Sequence, residues 1–116
     1  MKYLLLLKRT VDGMPDPGTP EAVAMATSYG AVMAEMGNAG ALVDTGPLHA
    51  TSAATVVRIR NGERLLTDVP AAELKEYLGG YTVIDVDDLD AAVDWAAKLP
   101  AATDASVEIR PVAPRG

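Results

Sequence analysis

Near the start of this 116-residue chain, Tyr3-Leu4-Leu5-Leu6-Leu7 forms a nearly continuous apolar run. A half-exposed strand would alternate apolar and polar residues, so an unbroken run reads as a short central strand buried on both faces. Such a strand needs neighbours along both edges and cover above its faces, and the rest of the chain must supply them. A chain of this length makes one domain with one core, taken here as residues 1–116. Apolar residues make up 49% of it, mostly Ala, Val and Leu, with one Trp, four Tyr and no Phe. Small side chains of this kind let helices approach a sheet closely and keep little core volume in aromatic rings.

The segments that follow can be placed by periodicity and punctuation. Val11–Pro20 gathers Asp12, Gly13, Pro15, Asp16, Pro17, Gly18 and Pro20 and reads as a loop. Thr19-Pro20-Glu21 is a helix start, with an N-cap Thr, a Pro at the first helical position and an acid in the first turn. Ala22, Met25, Ala26, Tyr29, Val32, Met33 and Met36 then recur every three or four residues, one face of an amphipathic helix that Gly37-Asn38-Ala39-Gly40 ends. Ala41–Val43 is a short strand, broken by Asp44-Thr45-Gly46-Pro47. Ala54–Ile59 is a strand, Asn61-Gly62 a two-residue hairpin turn, and Leu65-Leu66-Thr67 the returning strand. Gly79-Gly80 reads as a turn and Gly80–Val86 as a strand.

Asp87-Asp88-Leu89-Asp90 loads acids onto the start of a second helix, where the macrodipole favours them. Leu89, Ala92, Val93, Ala96 and Leu99 form its buried stripe, Trp95 falls beside that stripe, and Pro100 stops it. Ser106–Val112 alternates as a strand of period two, with Arg110 placed to meet a carboxylate across the sheet. The order β-α-β-hairpin-β-α-β predicts an α+β fold of ferredoxin-like type with an added β-hairpin. Two helices cover one face of such a sheet. The apolar residues on alternate positions of Tyr3–Leu7, Val56–Ile59 and Thr82–Val86 therefore predict a homodimer that closes over the other face.

Charge and composition exclude several functions. The net charge is −6, with 16 acids against 10 bases and no basic run, which argues against nucleic acid as a partner. The absence of Cys removes disulfides, thiol catalysis and thiolate metal sites. The leucine run stops at Lys8-Arg9, short of the roughly 7–15 residues of a secretory core, and no segment nears the roughly 20 apolar residues that span a bilayer. A cytoplasmic protein without a membrane partner is expected.

The segment Thr67-Asp68-Val69-Pro70-Ala71-Ala72-Glu73-Leu74-Lys75-Glu76-Tyr77-Leu78-Gly79-Gly80-Tyr81 resembles the T-D-G-P-F-A-E-T-K-E-x-L-G-G-Y signature of the YCII-related domain family, in its DGPF branch. The likeness continues through Ile84-Asp85-Val86-Asp87-Asp88-Leu89-Asp90-Ala91-Ala92 and ends in Val107-Glu108-Ile109-Arg110-Pro111-Val112. Lys2-Tyr3-Leu4-Leu5-Leu6 fits the family's first strand. The resemblance implies a dimeric α/β barrel, with two ferredoxin-like sheets facing each other. It also implies either of two functions. One is an enzyme acting on a small organic acid by proton transfer, elimination or isomerisation. The other is a non-catalytic binding or regulatory module tied to an alternative sigma factor, with a protein partner in transcription control. The chain departs from the signature at Val69 in place of Gly, Ala71 in place of Phe and Leu74 in place of Thr. Val does not accept the positive φ open to Gly, and loss of the Phe removes an aromatic wall from the motif's loop. The family's His-Asp pair places its His nearer the first strand and helix; residues 8–21 contain none, so the pair does not carry over.

Asp68, at the motif's acid, leads the candidates for an acid/base group. Its ordinary alternative is a turn acid that caps the N–H groups of Ala71 or Ala72. His49 is the only histidine, either a proton shuttle or an exposed loop residue. Glu73 would orient a substrate whose anion is held by Lys75, or both belong with Glu76 to a solvated charged turn. Arg58 and Arg60 are the other cations near enough to bind an organic acid. Asp85, Asp87, Asp88 and Asp90 lack the Gly and distal Glu of a calcium loop, and Gly79-Gly80 sits in no phosphate-binding pattern. No metal site and no organic cofactor is therefore predicted. Ser28, Ser52 and Ser106 have no nucleophile context. The expected site lies where the loops 44–52, 67–73 and 11–20 converge on a cleft beside the sheet.

Overall fold

The computed structural model describes residues 1–10, 15–68 and 76–115. In chain order the elements are β1 (Lys2–Thr10), α1 (Pro20–Asn38), β2 (Leu42–Pro47), a single 3-10 turn (Thr51–Ala53), β3 (Thr55–Arg60), β4 (Glu63–Asp68), β5 (Glu76–Asp85), α2 (Leu89–Ala97), α3 (Pro100–Asp104) and β6 (Val107–Pro111). Four strands form one sheet in the order β2-β5-β1-β6, every pair antiparallel, while β3 and β4 form a two-stranded sheet of their own. This is the ferredoxin-like α+β plan with a hairpin inserted between β2 and β5, as the element order predicts.

β1 is central, but its two faces differ. Tyr3, Leu5 and Leu7 are buried against the helices, whereas Leu4 and Leu6 on the opposite face are only half-buried. The continuous leucine run thus supplies one core face and one face that nothing among the described residues fully covers. Leu5, Met36, Ile84 and Leu99 are the largest fully buried apolar side chains, and Ala92 and Ala96 bring α2 onto them. Trp95 packs against this cluster from its margin, with the Lys98 ammonium 5.1 Å from its ring. Thr82 is also fully buried, and its hydroxyl is satisfied at 3.0 Å by that of Thr45 on β2.

Both long helices begin as their sequences require. The Thr19 hydroxyl accepts from the Ala22 N–H at 3.3 Å, and Asp88 Oδ1 accepts from the Ala91 N–H at 2.9 Å. Of the residues of α1 only Val32 and Met36 are buried. The helix therefore rests on the sheet by its C-terminal half, and its N-terminal half leaves a gap above the sheet.

The structure corrects four readings. Asp44-Thr45-Gly46-Pro47 continues β2, with Thr45, Gly46 and Pro47 opposite Thr82, Tyr81 and Gly80. Pro47 is tolerated because it ends an edge strand, where an N–H is not needed. Gly79-Gly80 is no turn but lies inside β5. Leu7 pairs with Gly80 and Lys8 with Leu78, so Gly79 is the extra residue of a bulge. Pro100 does not merely stop α2; it occupies the first turn of α3. Arg110 meets Glu108 of its own strand at 3.8 Å rather than a carboxylate across the sheet. The hairpin turn is as predicted: Asn61 and Gly62 both have positive φ, 52° and 78°, as the tightest two-residue loop demands.

Candidate ligand-binding site under the first helix

The gap beneath α1 is a cleft of about 430 Å³ between the helix and the bulged end of the sheet. Its wall is apolar: Leu7 below, Met25 and Met33 above, and Pro15, Pro17 and Pro47 at the rim. The cation within it is Arg9. Strand alternation puts Arg9 on the helix side of the sheet with Tyr3, Leu5 and Leu7, and Gly79, the extra residue of the bulge on β5, makes room for it. A Cβ on Gly79 would stand 2.6 Å from Cδ and Nε of Arg9, so only glycine lets the side chain lie across β5.

The Arg9 guanidinium sits 5.5 Å from the Tyr29 ring centroid, and Nη1 donates to Met25 Sδ at 3.0 Å. A thioether sulfur is a weak acceptor, and among the described residues the side chain makes no other hydrogen bond, which leaves most of its five N–H donors unspent there. Among the described residues no carboxylate lies within 4.0 Å of this guanidinium. Beside it, the Tyr29 hydroxyl is cut off from solvent and makes no hydrogen bond. Burial pushes its pKa up against the opposing pull of Arg9; the Ala101 backbone, outside hydrogen-bonding geometry, pulls the same way as Arg9.

A second, more open cavity of about 540 Å³ lies at the root of the hairpin. His49, Lys8 and Glu76 contribute its polar groups, with Leu48, Ala54 and Leu78 among its apolar ones. Glu76 Oε2 accepts from the Ser106 hydroxyl at 3.0 Å.

The described members of the predicted site do not all line one cavity. His49 is exposed in the wall of the second cavity. Asp68 ends β4 opposite Thr55, is exposed, and lines neither cavity. Arg58 and Arg60 lie on the hairpin; Arg58 Nη1 donates to Thr67 Oγ1 at 3.2 Å and Arg60 Nη1 to the Ile59 carbonyl at 2.9 Å. Glu73 and Lys75 lie outside the described residues. Of the three loops expected to converge, Pro15 and Pro17 of the first and Thr45–Pro47 of the second do meet, at the cleft under α1. Sequence reasoning missed Arg9 and Tyr29. An Arg closing an apolar strand and a glycine pair in a later strand were the available signals, and they become one signal only when the strands are paired. Among the described residues no group of three His, Asp or Glu is placed to hold a metal ion, and no helix is long and apolar enough to cross a membrane.

The comparisons with known proteins agree with the fold. A profile of the YCII-related domain matches residues 1–115. An uncharacterised protein of Rhizobium meliloti (strain 1021) is 40% identical over 85 residues, which is 72% of this chain and 68% of the relative. The chain belongs to the YCII-related domain family.

Proposed function

We propose that this YCII-related protein binds a small organic acid in the cleft under α1, the carboxylate on Arg9 and the apolar body between Met25, Met33 and Leu7. The observation that carries this reading is an arginine with unspent donors at the floor of an apolar cleft. That is the combination of apolar walls and a few placed polar groups that small-molecule sites use. Guanidinium and carboxylate match in a two-pronged geometry. The volume suits a ligand of one ring or a short chain. A catalytic form of the same reading gives Asp68 the acid/base role, with His49 and Glu73 assisting and Lys75, Arg58 and Arg60 holding the anion. Asp68 stands outside both cavities, which favours binding without turnover.

The test is titration calorimetry with a panel of small aromatic and aliphatic carboxylates. A hydrogen bond to a charged group is worth about 1.5–3 kcal/mol, so Arg9→Ala weakens the best binder by roughly 10- to 100-fold, and Arg9→Lys recovers part of the loss. An affinity that ignores Arg9→Ala overturns the proposal, as does a panel in which nothing binds.

A further inference from the structure

The cleft under α1 is lined by Gly30 in the helix and by Gly46, Gly79 and Gly80 in the strands below. The strand glycines are each accounted for by an atom of the protein. A Cβ on Gly79 would stand 2.6 Å from Arg9, one on Gly46 3.1 Å from the Tyr81 ring, and one on Gly80 3.1 Å from the Gly46 carbonyl oxygen. Gly30 has no such account. Among the described residues a Cβ there would meet no atom within 4 Å, and its φ is not positive, so neither packing nor backbone conformation excludes a side chain. Glycine inside a helix is nonetheless destabilising, because it loses the most backbone freedom on folding and exposes the backbone to water. Gly30 lies well inside α1, away from both caps, so it is not a helix signal either. What the missing side chain leaves is space, and that space belongs to the cleft.

That space adjoins the charge. Tyr29, immediately before Gly30, and Met25, one turn earlier, are the residues of α1 that hold Arg9. Met25, Tyr29 and Met33 follow one another at a spacing of one turn and form one row along the helix, while Ala22, Ala26 and Gly30 form the next. Both rows line the cleft. The first carries long side chains; the second carries methyl groups and, at Gly30, nothing. Below, Gly80 lies on the helix-facing side of β5 with its partner Leu7, so the floor is bare there too. An occupant anchored on Arg9 therefore finds width on the Gly30 side of the cleft, and only length along the methionines.

We infer that Gly30 sets the width of the acid that this cleft accepts, admitting a carboxylate whose body is broader than an unbranched chain. The inference rests on the ligand reading above and narrows it. The probes are benzoate, a broad acid, and hexanoate, a narrow one, titrated calorimetrically into wild type, Gly30→Leu and Gly37→Leu. Gly37 is the matched control: it lies in the last turn of the same helix, a Cβ on it also meets nothing within 4 Å among the described residues, and it does not line the cleft. Both variants exchange a helical glycine for a strong helix former, so both melt at or above the wild-type temperature. Overfilling a fitted site by a side chain weakens benzoate in Gly30→Leu by roughly ten-fold or more and hexanoate by less than about three-fold, and Gly37→Leu alters neither. Benzoate binding that is lost in Arg9→Ala but survives Gly30→Leu overturns this inference and leaves the ligand reading standing. Equal loss of both acids in Gly30→Leu, or wild-type protein that takes hexanoate and not benzoate, does the same. A Gly30→Leu protein that melts well below Gly37→Leu would show that the fold itself needs the glycine, and overturns the inference as well. Binding of neither acid, or binding indifferent to Arg9→Ala, brings down the ligand reading and this inference with it.

Discussion

Two antiparallel strand pairs in this protein, β1–β5 and β3–β4, share one backbone pattern and differ in what their side chains touch. In the first, Leu5 and Ile84 are fully buried and Tyr3 nearly so. In the second, the direct partners Val57 and Leu66 are each about three-fifths exposed. The ladder of hydrogen bonds is common to both, so it is not what separates them. A ladder exchanges bonds to water for bonds to protein at small net gain, while removal of apolar area from water supplies the driving force. The sheet body therefore folds by burial, and the hairpin holds its form by its turn and cross-strand contacts alone.

The largest test of that contrast compares two truncations of the same residue type. Leu5→Ala opens a cavity in a site with no exposure and costs about 3–4 kcal/mol. Leu66→Ala removes the same atoms from an exposed site and costs less than about 0.5 kcal/mol in dilute protein. Urea unfolding measures both, with unchanged slopes marking unchanged cooperativity. If Leu66→Ala costs as much as Leu5→Ala, the hairpin belongs to the core unit and the contrast is gone.

The same division explains what could be read from the sequence. Features set by neighbours along the chain were legible: the Thr19 cap before Pro20, the Asp88 cap, the Asn61-Gly62 turn and the order of the elements. Features set by pairing across the chain were not. Asp44–Pro47 looks like a strand breaker until Thr45 is placed opposite Thr82. Gly79-Gly80 looks like a turn until Leu7 and Lys8 are seen to straddle Gly79. Arg9 looks like the end of an apolar run until the pairing of β1 with β5 brings it over Gly79, beneath α1. Asp68 and His49 were judged by residue type and loop context, which do not tell that His49 lines a cavity and Asp68 does not. Glu73 and Lys75 lie outside the described residues.

A smaller effect sharpens the contrast from the side of the hairpin. Gly62 has φ of 78°, a conformation that a side chain makes costly by roughly 1–2 kcal/mol. Gly62→Ala therefore loosens the hairpin, and amide exchange across residues 55–68 speeds up by roughly 5- to 30-fold. Exchange at Leu5 and Ile84 stays as it was, because those amides report opening of the body. Equal acceleration in both regions would show one cooperative unit and break the division.

The smallest effect separates two exposed cross-strand bonds, one on the body and one on the hairpin. On the body, the Tyr81 hydroxyl donates to Asp44 Oδ2 at 3.2 Å. That hydrogen bond, and secondarily the carboxylate charge, raises the tyrosine's pKa above its ordinary value. A raised folded-state pKa means that the contribution is complete below the ordinary tyrosine pKa of about 10. It is lost as pH rises through the higher folded value, because the phenolate no longer donates and is repelled by Asp44. Asp44→Asn keeps the shape and removes the charge, so the Tyr81 phenolate forms at lower pH and the alkaline limb of stability moves slightly down. On the hairpin, Thr67→Val removes the acceptor of Arg58 Nη1 and leaves that limb unmoved. Phenolate absorbance followed through an alkaline titration reads the difference. Identical tyrosine titrations in wild type and Asp44→Asn would mean that the body does not hold even this pair in place, and that its exposed edge is as loosely fixed as the hairpin.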